Sequence, residues 1–389
     1  NKIFFLAVLI VFFVIIWSWV LFRNLILNNF LILIMLNFFL TPIFFEVDFE
    51  VPYRNPNSQN EIYWDKKEIS GFLKNKHLIS TDEKGNRVNK KINYKKKDQD
   101  TFRLFAIGAS TTEEQGLDDN LIWSNNLVNM VENDQNYSQF KSFEMINFGI
   151  SGTRTKHHYF TLKRNKYLKP DLVIFLLGVN DWNNHIVNSK EQFLLKNIEI
   201  AYDFRSSILF EFTNRILKKI YKTINEKKDV RKITSNSKKI NNPYKELVLK
   251  NINLKNNLKN SISLNIDKVS PRYSFWLYKI IDLCKKNEFE CLFVDQPSLY
   301  DITKFKTNKD KVWMNPPFKN YKIKFEDMVK IKEIYNLYLE ETISSEKLDF
   351  CKLSDKIEAN DRFFIDDVHF TPKGSEIVAK TLLKCINRN

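Results

Sequence analysis

The sequence contains little glycine, proline or cysteine, and it lacks the motifs of several large functional classes. With 8 Gly and 10 Pro among 389 residues, it is neither collagen-like nor a low-complexity chain. It has no zinc-finger spacing, RNA-binding signature, dinucleotide fingerprint or metal-ligand motif. We therefore expect no cofactor, no bound metal and no nucleic-acid partner.

The cysteines are too few for a disulfide scaffold, and none belongs to a C-x-x-C pair. Two alternatives stay open for them: buried free thiols, or one or two disulfides if this part of the chain lies outside the cytoplasm. All four lie towards the end of the chain, as Cys284, Cys291, Cys351 and Cys385.

The chain is basic, with 61 Lys and Arg against 46 Asp and Glu, a net charge of +15. Such a balance is found in proteins that bind nucleic acid, anionic membranes or acidic polymers. Here Lys, Asn, Ile and Phe are common almost everywhere, which indicates a composition bias rather than a binding patch. The 43% hydrophobic content is ample for one large domain or two ordinary ones.

Two long apolar runs at the start predict a membrane anchor over residues 1–46. The first, Ile3–Phe22, has no charge and would span roughly 30 Å as a helix, about one bilayer core. The second, Leu25–Phe45, contains three Asn and one Pro, so one span and a two-span hairpin both stay open. In the hairpin, Arg23 marks the cytoplasmic turn, and we favour an extracytoplasmic position, periplasmic or cell-surface, for the rest. Because the sequence begins with Asn1 rather than Met, we expect residues upstream of it.

The remainder predicts an α/β fold. Residues 47–100 are polar and turn-rich, which favours a lead-in segment packed on a main domain over 101–389. Within that domain, short apolar runs alternate with stretches of helical spacing, a pattern typical of a parallel sheet with helices on both faces. Such sheets carry their chemistry at the carboxyl ends of the strands. The predicted strands are Phe102–Ile107, Phe143–Phe148, Asp171–Leu177 and Glu290–Val294.

Two segments interrupt this alternation. Residues 200–267 are rich in Lys and Asn, and we interpret them as a helical insertion or lid. Its basic surface could face anionic lipid or polysaccharide, or it could simply be solvated. Residues 304–331 look like a second surface excursion.

Four short blocks hold residues typical of acyl-transfer chemistry, and three of them follow predicted strands. They are Gly108-Ala109-Ser110-Thr111-Thr112, Asn147-Phe148-Gly149-Ile150-Ser151-Gly152-Thr153, Gly178-Val179-Asn180-Asp181 and Asp366-Asp367-Val368-His369-Phe370-Thr371-Pro372-Lys373-Gly374. In these blocks and their order, the sequence resembles the SGNH (GDSL-type) hydrolase family from about residue 100 to the end. The resemblance implies a flavodoxin-like three-layer α/β/α fold and ester or acyl-transfer chemistry.

The first block departs from the family's pattern, because Ala109 stands where the family's namesake motif has Asp. That position is not catalytic, so the mechanism is preserved. The competing α/β-hydrolase fold needs Gly-x-Ser-x-Gly, and Thr112 occupies the place of its second glycine.

The resemblance and the chemistry assign the same roles. Ser110 is the candidate nucleophile and His369 the base that takes its proton. Asp366, three residues before His369, can hold the imidazole in its useful tautomer. By resemblance, the oxyanion hole consists of the backbone N–H groups of Ser110 and Gly152 and the side-chain amide of Asn180.

Each of these residues also has a purely structural interpretation. The run Ser110–Thr112 could cap a helix, Gly152 could be a turn glycine, and Asn180 or Asp181 could be a helix N-cap. His369 could be a surface histidine. His157 and His158 follow the Gly152 block closely, and either surface positions or positions lining the pocket are open to them.

The sequence therefore predicts a membrane-anchored serine esterase or acyl-transfer enzyme. Its position favours ester-bearing envelope carbohydrate or lipid, most plausibly O-acetyl groups, as the substrate. The alternative is a non-catalytic membrane-bound module that binds or scaffolds glycans on a hydrolase-like fold. A third interpretation, an anionic-polymer binder, rests on the Lys-rich insertion alone.

Overall fold

The computed structural model describes residues 54–63, 76–191, 253–258, 261–309 and 322–387, together with Val14 and Val312. The helices and strands named below lie in one compact unit, formed by residues 51–194 and 238–389. The anchor predicted over 1–46 and most of the insertion predicted over 200–267 fall outside the described residues. Among the residues that are described, no helix has both the length and the apolar character needed to cross a bilayer.

The described residues form ten strands and eight α-helices. The strands are β1 Gln59–Tyr63, β2 Lys76–Ser80, β3 Arg87–Val88, β4 Thr101–Gly108, β5 Ser142–Asn147, β6 Leu172–Leu176, β7 Ser261–Ile262, β8 Glu290–Val294, β9 Lys322–Ile323 and β10 Asp349–Cys351. The helices are α1 Ser110–Glu113, α2 Trp123–Glu132, α3 Thr155–Asn165, α4 Val179–Glu191, α5 Pro271–Lys285, α6 Phe305–Asn308, α7 Phe325–Ser345 and α8 Pro372–Ile386.

A six-stranded sheet in the order β10-β8-β6-β4-β5-β3 forms the centre of this unit. Only β3 is antiparallel to its neighbour, so the predicted α/β fold with a mostly parallel sheet is confirmed. The five parallel strands follow the doubly wound order 2-1-3-4-5, whose switch point lies between the first and third strands along the chain, here β4 and β6. Every residue of β4 and of β6 is buried, as expected for strands covered on both faces.

The register brings the carboxyl ends of three strands to one edge. Ala106 of β4 lies opposite Asn147 of β5 on one side and Ile174 of β6 on the other. Right-handed crossovers place helices on both faces of such a sheet. Helix α2 packs with α8, α3 with α5, and α4 with α7. The loops after β4, β5 and β6 therefore emerge side by side.

All four cysteines are paired in two disulfides, so the prediction of buried free thiols is wrong. Cys284 of α5 is bonded to Cys291 of β8. Cys351 of β10 is bonded to Cys385 of α8. The second bond ties the edge strand to the last helix, which follows the predicted catalytic histidine.

Two segments differ from their sequence interpretation. The lead-in segment is part of the architecture: β1 pairs with β2, and β3 is the edge strand of the central sheet. Residues 325–331, placed by sequence in the second excursion, begin α7, where Phe325, Met328 and Val329 are buried. The apolar residues of this stretch recur at helical spacing, and burying them outweighs its lysine content.

Candidate active site

Ser110 begins the short helix α1, two residues after β4 ends. The carbonyl of Ala109 accepts the backbone N–H groups of Thr112 and Glu113, at 3.0 and 2.9 Å. Ala109 is the N-cap residue, and no side chain caps the helix, so the interpretation of Ser110–Thr112 as a cap is wrong. Ser110 is 7% exposed, and its backbone N–H lies in the first turn, where helical N–H groups have no partner within the helix.

The buried Asp366 pairs with His369, whose side chain is 13% exposed, in the loop before α8. The carboxylate of Asp366 accepts the Nδ1–H of His369 at 2.8 Å, and it also accepts the backbone N–H groups of Val368 and His369 at 2.9 and 2.8 Å. This bond puts the ring proton on Nδ1, which leaves Nε2 as the basic nitrogen. The loop is closed by the N–H of Ile365, which donates to the carbonyl of His369 at 2.8 Å.

The surroundings of His369 make its imidazole more basic. Burial by itself lowers the pKa of His369, but the charge and hydrogen bond of Asp366 act in the opposite direction, helped by the charges of Asp367 and Glu113. The net effect raises the pKa above its ordinary value. A side chain in this state accepts a proton readily and holds it on a stabilised imidazolium.

Gly152 lies at the tip of the loop between β5 and α3. Its φ is +78°, and a Cβ built on it would meet nothing within 4 Å. The positive φ fits the interpretation as a turn glycine. The open space beside it also fits a backbone N–H that a substrate approaches. Both Gly152 and the preceding Ser151 are exposed.

Asn180 and Asp181, at the start of α4, both hold this loop. The side-chain amide of Asn180 donates to the carbonyl of Thr153 at 2.9 Å, which uses one of its two protons. The carboxylate of Asp181 accepts the N–H and the hydroxyl of Thr155 at 3.1 and 2.7 Å. Asp181 therefore binds the first residue of α3 and does not cap α4, so the prediction that it is the N-cap of its own helix is wrong. Burial raises the pKa of Asp181 to about 6.

His157 and His158 have structural positions in α3. The Nδ1 of His157 accepts the N–H of Arg154 at 3.0 Å, and burial, with the charges of Arg154 and Lys156, lowers its pKa to about 4. His158 is buried, which contradicts a surface position, and burial lowers its pKa to about 3. Both rings are therefore neutral at pH 7.

Three residues that the sequence analysis missed bind the same loops. Arg87 of β3 is buried and donates to the carbonyls of Glu113, Glu114 and Leu117 at 2.7 to 2.9 Å. Arg54 donates to the carbonyls of Asn147 and Gly149 at 2.8 and 2.7 Å. The carboxylate of Glu113 binds Ser151. Most basic residues of this chain are lysines, so an arginine in the lead-in segment is itself a sequence signal. A guanidinium can bind several carbonyls at once, which a lysine does less well.

A small cavity, with room for about 10 Å³, lies between the residues that follow α1 and the loop that carries His369. It is lined by Glu114, Gln115, Gly116, Leu117, Ile365, His369 and Phe370. A wider depression, about 750 Å³, lies elsewhere, against α2 and the turn after it. No group of three His, Cys, Asp or Glu side chains in that part could hold a metal ion.

Comparisons with known proteins identify the family. The model of the GDSL-like lipases and acylhydrolases matches residues 104–382. A GDSL-like lipase from Bacteroides thetaiotaomicron VPI-5482 is 12% identical, with 74% of this chain and 88% of that chain covered and a TM-score of 0.37. A member of the lipolytic G-D-S-L family from Veillonella parvula DSM 2008 is 11% identical, with coverages of 74% and 100% and a TM-score of 0.37. An acetylxylan esterase from Geobacillus stearothermophilus is 12% identical, with coverages of 73% and 94% and a TM-score of 0.40.

None of the curated proteins is similar in sequence. Because the family model spans most of the chain, the chain belongs to the GDSL-like lipase/acylhydrolase family, whose activity is that of an esterase or acylhydrolase.

Proposed function

We propose that this protein is a membrane-anchored serine esterase that removes short acyl groups from envelope carbohydrate or lipid, with Ser110, His369 and Asp366 as its catalytic residues. The observation that carries the proposal is the Asp366–His369 pair, in which the hydrogen bond of Asp366 to Nδ1 favours the tautomer of a general base. It lies in a loop that shares a small cavity with the residues following Ser110.

The proposed reaction is a two-step acyl transfer. The hydroxyl oxygen of Ser110 attacks the ester carbonyl while Nε2 of His369 takes its proton. The resulting oxyanion is bound by the N–H groups of Ser110 and Gly152 and by the second amide proton of Asn180. The imidazolium then protonates the leaving alcohol, the acyl group stays on Ser110, and water activated by His369 releases it as the carboxylic acid.

The same acyl-enzyme serves an O-acyltransferase if a second alcohol replaces water. That alternative differs only in what reaches the acyl group in the second step. We favour hydrolysis because esterase or acylhydrolase activity is that of the family.

We propose acetyl as the acyl group and an O-acetylated sugar of the envelope as the substrate. The reason is location: the proposed anchor and the two disulfides favour a position at the envelope, outside the cytoplasm.

An extracytoplasmic position is supported by the two disulfides. Disulfides persist in oxidising compartments and are rare in the cytoplasm, and here all four cysteines are paired. The uncharged run Ile3–Phe22 supplies the proposed anchor. Alkylation with a maleimide in denaturant should modify the protein taken from cells only after reduction. Modification without reduction would contradict this position.

Labelling with a fluorophosphonate tests the catalytic serine. The wild type should label and should hydrolyse p-nitrophenyl acetate faster than the octanoate ester, whereas Ser110→Ala should do neither. Ser138→Ala, at an exposed serine outside the site, is the matched control and should behave as the wild type. A folded wild type that neither labels nor turns over an ester would contradict the proposal and favour the non-catalytic glycan-binding alternative.

A further inference from the structure

The carboxylate of Glu113 joins α1, which begins at Ser110, to the tip of the loop that carries Gly152. Glu113 lies three residues after Ser110 and is buried, 8% exposed. Its Oε2 accepts the backbone N–H of Ser151 at 2.6 Å and the hydroxyl of Ser151 at 2.7 Å. Hydrogen bonds to a carboxylate are roughly twice as strong as bonds between neutral groups, so these two bonds fix the loop tip more firmly than neutral partners would.

The base of the same loop is already fixed by close packing. A Cβ on Gly149 would lie 2.4 Å from the backbone nitrogen of Glu113 and 2.7 Å from the carbonyl carbon of Thr112, so the loop crosses directly over α1. Arg54 holds the carbonyl of Gly149 at 2.7 Å. Ser151 and Gly152 extend beyond this crossing into solvent, where Glu113 reaches the loop.

Glu113 is itself held in place by the lead-in segment. Arg87 binds its backbone carbonyl at 2.7 Å. The charge of Glu113 also acts on Arg54: burial lowers the pKa of that guanidinium to about 10, and Glu113 is the first of the groups that oppose the decrease. Glu113 therefore has a fixed backbone, and its carboxylate faces the positive charge of Arg54.

We propose that Glu113 is a positioning residue that sets the N–H of Gly152 relative to the N–H of Ser110, so that both donors point at one oxyanion. It touches neither the substrate nor the reacting atoms and acts on the oxyanion hole through Ser151. Its charge also raises the pKa of His369, so the kcat of its variants is compared on the high-pH plateau of each pH profile. This inference rests on the proposed esterase function. Its physical basis is that an oxyanion hole stabilises the transition state only when its donors are fixed in advance.

The test is a kinetic comparison of Glu113→Ala and Glu113→Gln with the wild type, with p-nitrophenyl acetate as substrate. Loss of a whole oxyanion donor lowers kcat by about 10²- to 10³-fold, so a displaced donor should lower kcat of Glu113→Ala by about 10- to 100-fold. The KM should change less than about twofold, because the interaction is made in the transition state. Glu113→Gln keeps an acceptor oxygen and should restore most of kcat. Glu132→Gln, at an exposed glutamate of α2, is the control and should leave both constants unchanged.

A double variant tests whether Glu113 acts through Ser151. Ser151→Ala removes the hydroxyl donor, and it should lower kcat in the wild type but have no further effect in Glu113→Ala. Equal losses in both backgrounds would overturn the inference, as would an unchanged kcat in Glu113→Ala.

Hydrogen exchange separates this inference from the proposed function. Backbone amides of residues 149–155 should exchange faster in Glu113→Ala than in the wild type, and those of α2 should not. If the wild type turns over no ester, the esterase proposal fails and the oxyanion role of Glu113 fails with it. With an active wild type, faster exchange in Glu113→Ala supports the inference, and unchanged exchange contradicts it while leaving the esterase proposal intact. If Glu113→Ala does not fold, the same measurements on Ser151→Ala, which removes the hydroxyl bond to Glu113, decide the question: kcat should fall and residues 149–155 should exchange faster, and no change in either would overturn the inference.

Discussion

Replacement of Asn180 by alanine should separate the catalytic and structural roles of this side chain. Its amide makes one hydrogen bond in the structure, to the carbonyl of Thr153 at 2.9 Å, and its second proton is the proposed oxyanion donor. The lost bond to Thr153 costs about 1 kcal/mol of folding stability. The lost oxyanion donor costs about 10²- to 10³-fold in kcat, or about 3 to 4 kcal/mol. The effect on catalysis should therefore be several times larger than the effect on stability.

The assay is the hydrolysis of p-nitrophenyl acetate together with chemical denaturation of each variant. Asn180→Ala should lose kcat with little change in KM. Asn180→Asp keeps the shape of the side chain but presents oxygens to the carbonyl of Thr153 and to the oxyanion, so its kcat should fall at least as far. An Asn180→Ala variant within threefold of the wild-type kcat would refute the assignment of Asn180 to the oxyanion hole. An Asn180→Asp variant with full activity at neutral pH would refute it equally.

Three further predictions concern pH, packing and stability. The kcat/KM should rise with pH through the pKa of His369, which lies above its ordinary value. Asp366→Asn should move this rise to lower pH and lower kcat by several orders of magnitude, both measured as a pH profile. Gly149→Ala places a Cβ 2.4 Å from a backbone nitrogen of α1 and should cost about 1–3 kcal/mol in a urea titration, so an unchanged midpoint would contradict the close crossing. Burial raises the pKa of Glu114 to about 8, from 4.5. Because the folded-state pKa is above the unfolded one, stability should fall as pH rises between these values, by at most about 5 kcal/mol. Glu114→Gln should remove that slope, and persistence of the slope would show that another group causes it.

Much of the fold could be predicted because each central strand coincides with a short continuous run of apolar residues. The buried strand β8 has the bounds of its apolar run, Glu290–Val294, and β4 extends the predicted run by one residue at each end. Runs covered on both faces are continuous and apolar, which makes them visible in sequence. The helix α7 was harder to predict, because the lysines at its start resemble those of the preceding surface segment.

The long-range contacts of the lead-in segment could not be predicted from local sequence patterns. Its strand β3 has two residues, too few for a period, and it is defined by its pairing with β5. Arg54 bonds to the carbonyl of a residue 93 positions later in the chain. Neither the pairing nor the bond leaves a signal in the neighbouring residues.

The sequence alone determined the order of the four blocks, the parallel sheet, and the Asp366–His369 contact, which a spacing of three residues makes local. Tertiary structure decided how those blocks are held together: Glu113 meets Ser151 across 38 positions, Asp181 meets Thr155 across 26, and the four cysteines pair in a single pattern. The reason is that local geometry follows from bonded neighbours and their dihedral angles. Contacts between distant residues depend on strand order and register, which are settled only when the whole core packs.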